Sequence, residues 1–148
     1  MGKAPLSVAI QDYLKGIYKL QQSGELSISS LAREQGVSAA SASAMVKKLA
    51  ALELLEHEPY RGFHLTDAGE RVALEVIRHH RLLELYLAET LGLHVDHVHD
   101  EADRLEHVIS EELEERIDRS LGFPTHDPHG DPIPNAALEW PVDGKTAR

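Results

Sequence analysis

His99, Asp103, Glu106 and His107 lie at offsets 0, 4, 7 and 8 in the stretch HDEADRLEH, residues 99–107. On a helix those offsets share one face. A solvated helix face ordinarily mixes charges for solubility. This one gathers imidazoles and carboxylates, the side chains that bind divalent cations. Upstream, His80 and Glu84 form an i, i+4 pair, and Asp12 falls off the apolar stripe of an earlier helix. A lone exposed histidine is usually no more than solvated. A cluster of six on two helices, which can meet if the helices run antiparallel, leaves a metal site and a wet acidic surface equally open on spacing alone. The donors are oxygen and imidazole without sulfur, because the chain has no cysteine. Such hard donors suit Mn2+ or Fe2+, with selectivity left to geometry and availability.

The elements that position these residues are set in a chain of 148 residues, one domain or two small ones. Its hydrophobic fraction of 42% supplies a core, and with 5% aromatics that core must be mainly aliphatic. No apolar run approaches the ~20 residues of a membrane span. The N-terminus MGKAPLS lacks the apolar stretch of a signal peptide, and the absence of cysteine excludes disulfides. A cytoplasmic protein without a membrane partner is expected. The net charge of −10 is uneven: residues 1–62 carry +1 and residues 63–148 carry −11, with nine of the ten histidines at or beyond His64. An acidic, histidine-rich second part points to cations there.

Periodicity predicts helices over 7–21, capped by Ser7, over 30–35, stopped by Gly36, and from a Ser38 cap to about Leu52. The last two, joined by a short glycine turn, form a helix-turn-helix. LLEHE (54–58) and GFHLT (62–66) flank Pro59-Tyr60-Arg61 as a β-hairpin wing. A leucine-rich helix follows from a Thr66 cap to about Leu91, then one helix over roughly 96–121, then a Pro/Asp-rich loop. The expected fold is mainly α with a small β-wing: a winged helix-turn-helix over 1–66, then a helical metal-binding and dimerisation domain over 67–148.

A winged helix most often reads DNA. Ser38, Ser41 and Ser43 can donate to phosphates, Lys47 and Lys48 add cations, and Arg61 at the wing tip can reach backbone or minor groove. Each can equally be a plain solvated side chain. Ala40 and Ala44 on the outer face can touch a thymine methyl but cannot read a donor–acceptor pattern. Shape and phosphate contacts are therefore expected to carry much of the specificity. One small module rarely binds tightly enough alone, so a homodimer on a palindromic double-stranded operator is expected, formed through the leucine-rich helix and its successor.

Two other classes compete. A winged-helix regulator of an organic ligand needs an aromatic, apolar pocket, which 5% aromatics opposes. A dinuclear-metal enzyme usually shows Glu-x-x-His repeats on a four-helix bundle, whereas Glu106 and His107 are adjacent. No nucleophilic triad or phosphate-cradling loop is evident, and no enzyme is expected.

QDYLKGIYKL, RHHRLLELYL, VHDEADRLEHVISEELEERI and PHGDPIP together resemble the diphtheria toxin repressor and manganese transport regulator family of metal-dependent winged-helix repressors. The resemblance spans nearly the whole chain. It implies a regulatory site of Asp12, Asp103, Glu106 and His107 and a second site of His80, Glu84 and His99. Iron-type members carry Met and Cys where Asp12 and Asp103 stand, and manganese-type members tend to carry carboxylates, so the resemblance implies Mn2+, with Fe2+ the alternative. There are departures. Lys15 replaces a carboxylate ligand of a manganese-type relative, and Ala44 replaces a polar base-contacting residue. Asp127 stands where some relatives have Cys or Ser, a possible extra ligand. The SH3-like third domain of many members is expected to be absent, leaving water or Asp127 to complete the second site. A metal joining Asp12 to ligands of the second domain would fix the spacing of paired recognition helices, a linkage that must be reciprocal.

Overall fold

A computed structural model describes residues 6–59 and 62–142. The elements are α1 (Val8–Ser23), α2 (Ile28–Gln35), α3 (Ala39–Ala51), β1 (Leu55–Glu58), β2 (Gly62–Leu65), α4 (Asp67–Glu89), α5 (Val95–Leu105) and α6 (Glu111–Ser120). They divide into two compact units, with the division between Ala73 and Leu74.

In the first unit, Ser7, Ser27 and Ser38 cap α1, α2 and α3, each hydroxyl accepting a hydrogen bond from the backbone N–H three residues on. α2 begins earlier than the apolar pattern indicates because Ser27 and Ser30 form a reciprocal capping box. Gly36 ends it at φ 68°, a left-handed conformation that lets the chain turn sharply into α3. Ile10, Leu14 and Ile17 of α1 join Leu31, Ala42, Val46 and Leu49 in a buried aliphatic core. β1 and β2 pair antiparallel from Leu55↔Leu65 to Glu58↔Gly62 and form the wing. Tyr60 and Arg61 of its tip lie outside the described residues.

The first unit extends past Thr66 into α4. Thr66 caps that helix through Gly69 N (3.1 Å) and donates to the Glu53 carbonyl (2.8 Å). Gly69 then lies so close to the preceding turn that a Cβ there would sit 2.1 Å from the Leu54 carbonyl oxygen. The opening turns of α4 are thus packed as part of the winged helix, and the division falls inside the helix rather than at its start.

In the second unit Leu82, Leu83 and Leu85 of α4 pack with Ala102, Ile117 and Ile133, flanked by Tyr86, Ile109 and Leu121. The leucine-rich helix is expected to contribute the dimer surface with its successor, and Leu82, Leu83 and Leu85 are the part of it buried in the unit's own core. Leu91, Leu105 and Val108 remain exposed. The single helix expected over 96–121 is two helices. α5 ends at Leu105 with Glu106 as its C-cap, and α6 restarts after Ser110, whose hydroxyl accepts from Leu113 N. The residues after α6 form an ordered loop closed by an antiparallel bridge between His126 and Pro132. Two α4 arginines hold it: Arg78 donates to the Pro134 carbonyl (2.9 Å) and Arg81 to the Pro132 carbonyl (2.7 Å).

Candidate metal centre and nucleic-acid interface

The break between α5 and α6 alters the premise that four ligands share one helix face. His99 and Asp103 lie on α5, Glu106 caps it, and His107 lies in the turn beyond. The chain nevertheless converges on His80 of α4. Its Nδ1 is 2.5 Å from Glu106 Oε1 and 3.3 Å from Asp103 Oδ1. Its Nε2 is 3.1 Å from Glu84 Oε2 and 3.1 Å from His99 Nδ1. His99 also reaches Asp103 (3.3 Å), and His107 reaches the other oxygen of Glu106 (3.3 Å). His80, His99 and Asp103 each place one ligand atom within 4.8 Å of the others.

The loop after α6 adds a second such group. Glu84, Asp127 and His129 also place ligand atoms within 4.8 Å of one another. Asp127 Oδ1 accepts from His129 N and Asp131 N, a tight turn that fixes the carboxylate. Asp127 Oδ2 is buried with no donor facing it. Its carboxylate neighbour is Glu84, and two carboxylates hydrogen-bond only by sharing a proton. Burial and that neighbour push the Asp127 carboxyl above its usual range, although backbone N–H bonds oppose them. Burial also pushes the Glu84 carboxyl up, but the hydrogen bond and charge of His80, the bond from Asp127 and the charge of His129 outweigh it and hold Glu84 at about 2. A divalent cation satisfies both carboxylates without that proton, so the residues fit a metal. The sequence reading missed His129. The Asp-x-His spacing of Asp127 and His129 at the start of DPHGDPIP was its signal, but a Pro-rich loop has no periodicity to say where an imidazole points.

A third set of polar groups sits behind the ligands. His79 Nε2 is 2.9 Å from Glu114 Oε1, and its Nδ1 is 3.2 Å from the Glu106 carbonyl oxygen. Arg78 donates to the other Glu114 oxygen and to Asp118. Burial lowers the His79 pKa, but the bond and charge of Glu114, with the Glu106 carbonyl, raise it overall. Burial raises the Glu114 pKa, but His79 and Arg78 outweigh it and bring it below the usual range.

Asp12 is half-buried on α1 of the first unit, where its backbone carbonyl accepts from Gln35 Nε2 (3.3 Å) at the end of α2. On α3, Ser38, Ala40, Ser41, Ala44, Lys47 and Lys48 are exposed and Ser43 is half-buried. The Ser38 hydroxyl is committed to the cap, accepting from Ser41 N and donating to Ser41 Oγ (3.1 Å). Arg61 lies outside the described residues.

A winged helix followed by a helical unit rich in metal-type ligands defines a class, and comparison with known proteins agrees with it. Residues 5–63 match the N-terminal DNA-binding domain of the iron dependent repressors, and residues 66–135 match their metal binding and dimerisation domain. The chain belongs to the iron-dependent repressor family. It is 36% identical over 126 residues to the diphtheria toxin repressor of Corynebacterium efficiens, covering 84% of this chain and 55% of that protein. It is 37% identical over 123 residues to the iron-dependent repressor IdeR of Mycobacterium tuberculosis, covering 82% and 54%. Among solved structures, a manganese-dependent transcriptional repressor in complex with manganese is 48% identical with a TM-score of 0.81, covering 90% of this chain and 62% of that one. The manganese regulator SloR is 35% identical with a TM-score of 0.72, covering 90% and 65%. The chain thus spans about half the length of these curated relatives. Among the described residues no helix is long and apolar enough to cross a membrane.

Proposed function

We propose that the protein is a Mn2+-activated, DNA-binding transcriptional repressor of metal-ion homeostasis genes, acting as a homodimer on a palindromic duplex. Fe2+ is the alternative metal, since the names of its relatives divide between manganese and iron. One observation carries the reading: histidines and carboxylates from α4, α5, the turn after α5 and the closing loop form one cluster around His80 and Glu84. Buried carboxylates are costly without counter-charge, and a divalent cation supplies it. Asp103, Glu106 and His107 are the proposed regulatory ligands. His80, Glu84 and His99 are the supporting ones, joined by Asp127 and His129 from the loop. Asp12 is included on the family resemblance alone. DNA contact is assigned to Ser38, Ala40, Ser41, Ser43, Ala44, Lys47, Lys48 and Arg61. The protein's own part is to hold hard donors at fixed positions; the metal when bound supplies positive charge.

The test is fluorescence anisotropy on a family-type palindromic duplex titrated with Mn2+. Wild type is expected to bind only with metal. Asp103→Ala should lose the response with fold and dimer intact, and Glu84→Ala should weaken it less. An Asp103→Ala protein that answers Mn2+ like wild type removes the regulatory assignment. DNA binding indifferent to metal favours the organic-ligand reading.

A further inference from the structure

We propose that His79 is a positioning residue for the metal centre, acting on the turn that presents Glu106 and His107. This rests on the functional reading above and adds a residue that binds no metal. His79 neighbours His80 in sequence, but one helical step of about 100° turns its ring away from the ligand cluster. Both of its nitrogens are engaged elsewhere. Nδ1 faces the Glu106 carbonyl oxygen at 3.2 Å and Nε2 faces Glu114 Oε1 at 2.9 Å.

The Glu106 carbonyl belongs to the C-cap of α5, among the groups that have no partner within a helix. A ring N–H from α4 supplies that partner. The same ring is tied on its far side to Glu114 on α6, beyond the turn. One imidazole thus anchors both ends of the α5–α6 connection, the segment that carries Glu106 and His107. Its own position is fixed in turn: Arg78, buried at 3% exposure, binds the second Glu114 oxygen and also Asp118 and the Pro134 carbonyl. Glu106 is held through both its backbone, by His79, and its carboxylate, by His80 and His107. Its 1% exposure leaves little room for adjustment if the backbone point is lost. Outer groups that orient metal ligands typically change metal affinity about 10–100-fold when removed.

The experiment is calorimetric titration of the full chain with Mn2+ in two backgrounds, with circular dichroism melts of each metal-free protein. His129→Ala disables the loop ligands, and His107→Ala disables the turn ligands. In the His129→Ala background, His79→Ala is expected to weaken the remaining site about 10–100-fold. In the His107→Ala background it should change the remaining affinity by less than about 3-fold, within the usual additivity of independent sites. His79→Gln, which keeps one N–H donor, should recover part of the loss. Glu114→Gln, which keeps the shape and removes the charge, should give a smaller loss confined to the same background. It serves as the readout if the His79→Ala melt shows an unfolded chain. Equal losses in both backgrounds, or no loss in the His129→Ala background, overturn the positioning role. If neither His107→Ala nor His129→Ala alters Mn2+ binding, the metal-site reading itself falls and the positioning role with it.

Discussion

Asp127 shows what the ligand cluster costs without metal. Its Oδ2 is buried beside Glu84 with no donor, and its carboxyl is pushed above the usual range by burial and by that neighbour. A carboxyl raised in the folded state contributes stability that is fully present below its unfolded value of about 4 and is lost as pH rises through the folded value. In EDTA at neutral pH, Asp127→Asn should therefore raise the melting temperature, by roughly 2–4 °C for about 1 kcal/mol. The gain should shrink as pH falls and Asp127 takes up its proton, and the variant's Mn2+ affinity should be lower than that of wild type. A lower melting temperature at neutral pH would mean that the two carboxylates do not oppose each other. At this scale helical spacing made much legible: His80 and Glu84 stand one turn apart, as do His99 and Asp103, and both pairs meet as side chains. His129 was not legible because it comes from a loop. His79 was not legible because sequence gives no means of separating a ligand histidine from one that supports a carbonyl.

Among the elements, the starts of α1 and α3 were legible from Ser7 and Ser38, whose capping role is local, while the start of α2 was set two residues late because Ser27 lies in a segment that reads as a turn. The segment 96–121 was read as one helix because its apolar residues keep the helical period across the break. What interrupts it is Ser110, a cap that competes with continuation. Ser110→Ala should cost about 1 kcal/mol in thermal unfolding of the metal-free protein. It should also loosen the turn bearing His107, seen as faster amide exchange at Val108 and Ile109. Gly69 makes the complementary case in the first unit. Its missing Cβ would meet backbone rather than a movable side chain, so Gly69→Ala should cost at least the ~1–3 kcal/mol of an overpacked core. A variant melting with wild type would show that α4 can shift away from Leu54 without penalty.

For the whole molecule, the charge division matters most. A protein of net charge −10 can approach DNA only through a locally basic surface, and Lys47 and Lys48, exposed on α3, are the proposed source of it. Lys48→Ala should weaken binding on specific and random duplexes alike and reduce the salt slope by about 1. An unchanged slope removes Lys48 from the phosphate contacts. Leu91, Leu105, Val108 and Leu113 are among the apolar residues left exposed on the second unit, and none of them is a metal-type ligand. Sedimentation of the EDTA-treated protein at micromolar concentration should accordingly give a dimer, and a monomer would refute a metal-independent interface. The loop that holds Asp127 and His129 is closed by backbone bonds, Asp127 N to the Asp131 carbonyl (2.9 Å) and Ile133 N to the Thr125 carbonyl (2.8 Å), and by the Asp127 carboxylate, and it is fastened to α4 through two arginines that grip carbonyl oxygens, not side chains. Selection can therefore exchange the residue at position 129 while the fastening stays the same, whereas position 127 must keep an oxygen that accepts the two backbone N–H groups of the turn. Metal preference in such a protein is a heritable setting that can drift to suit a new environment without the fold having to be reinvented.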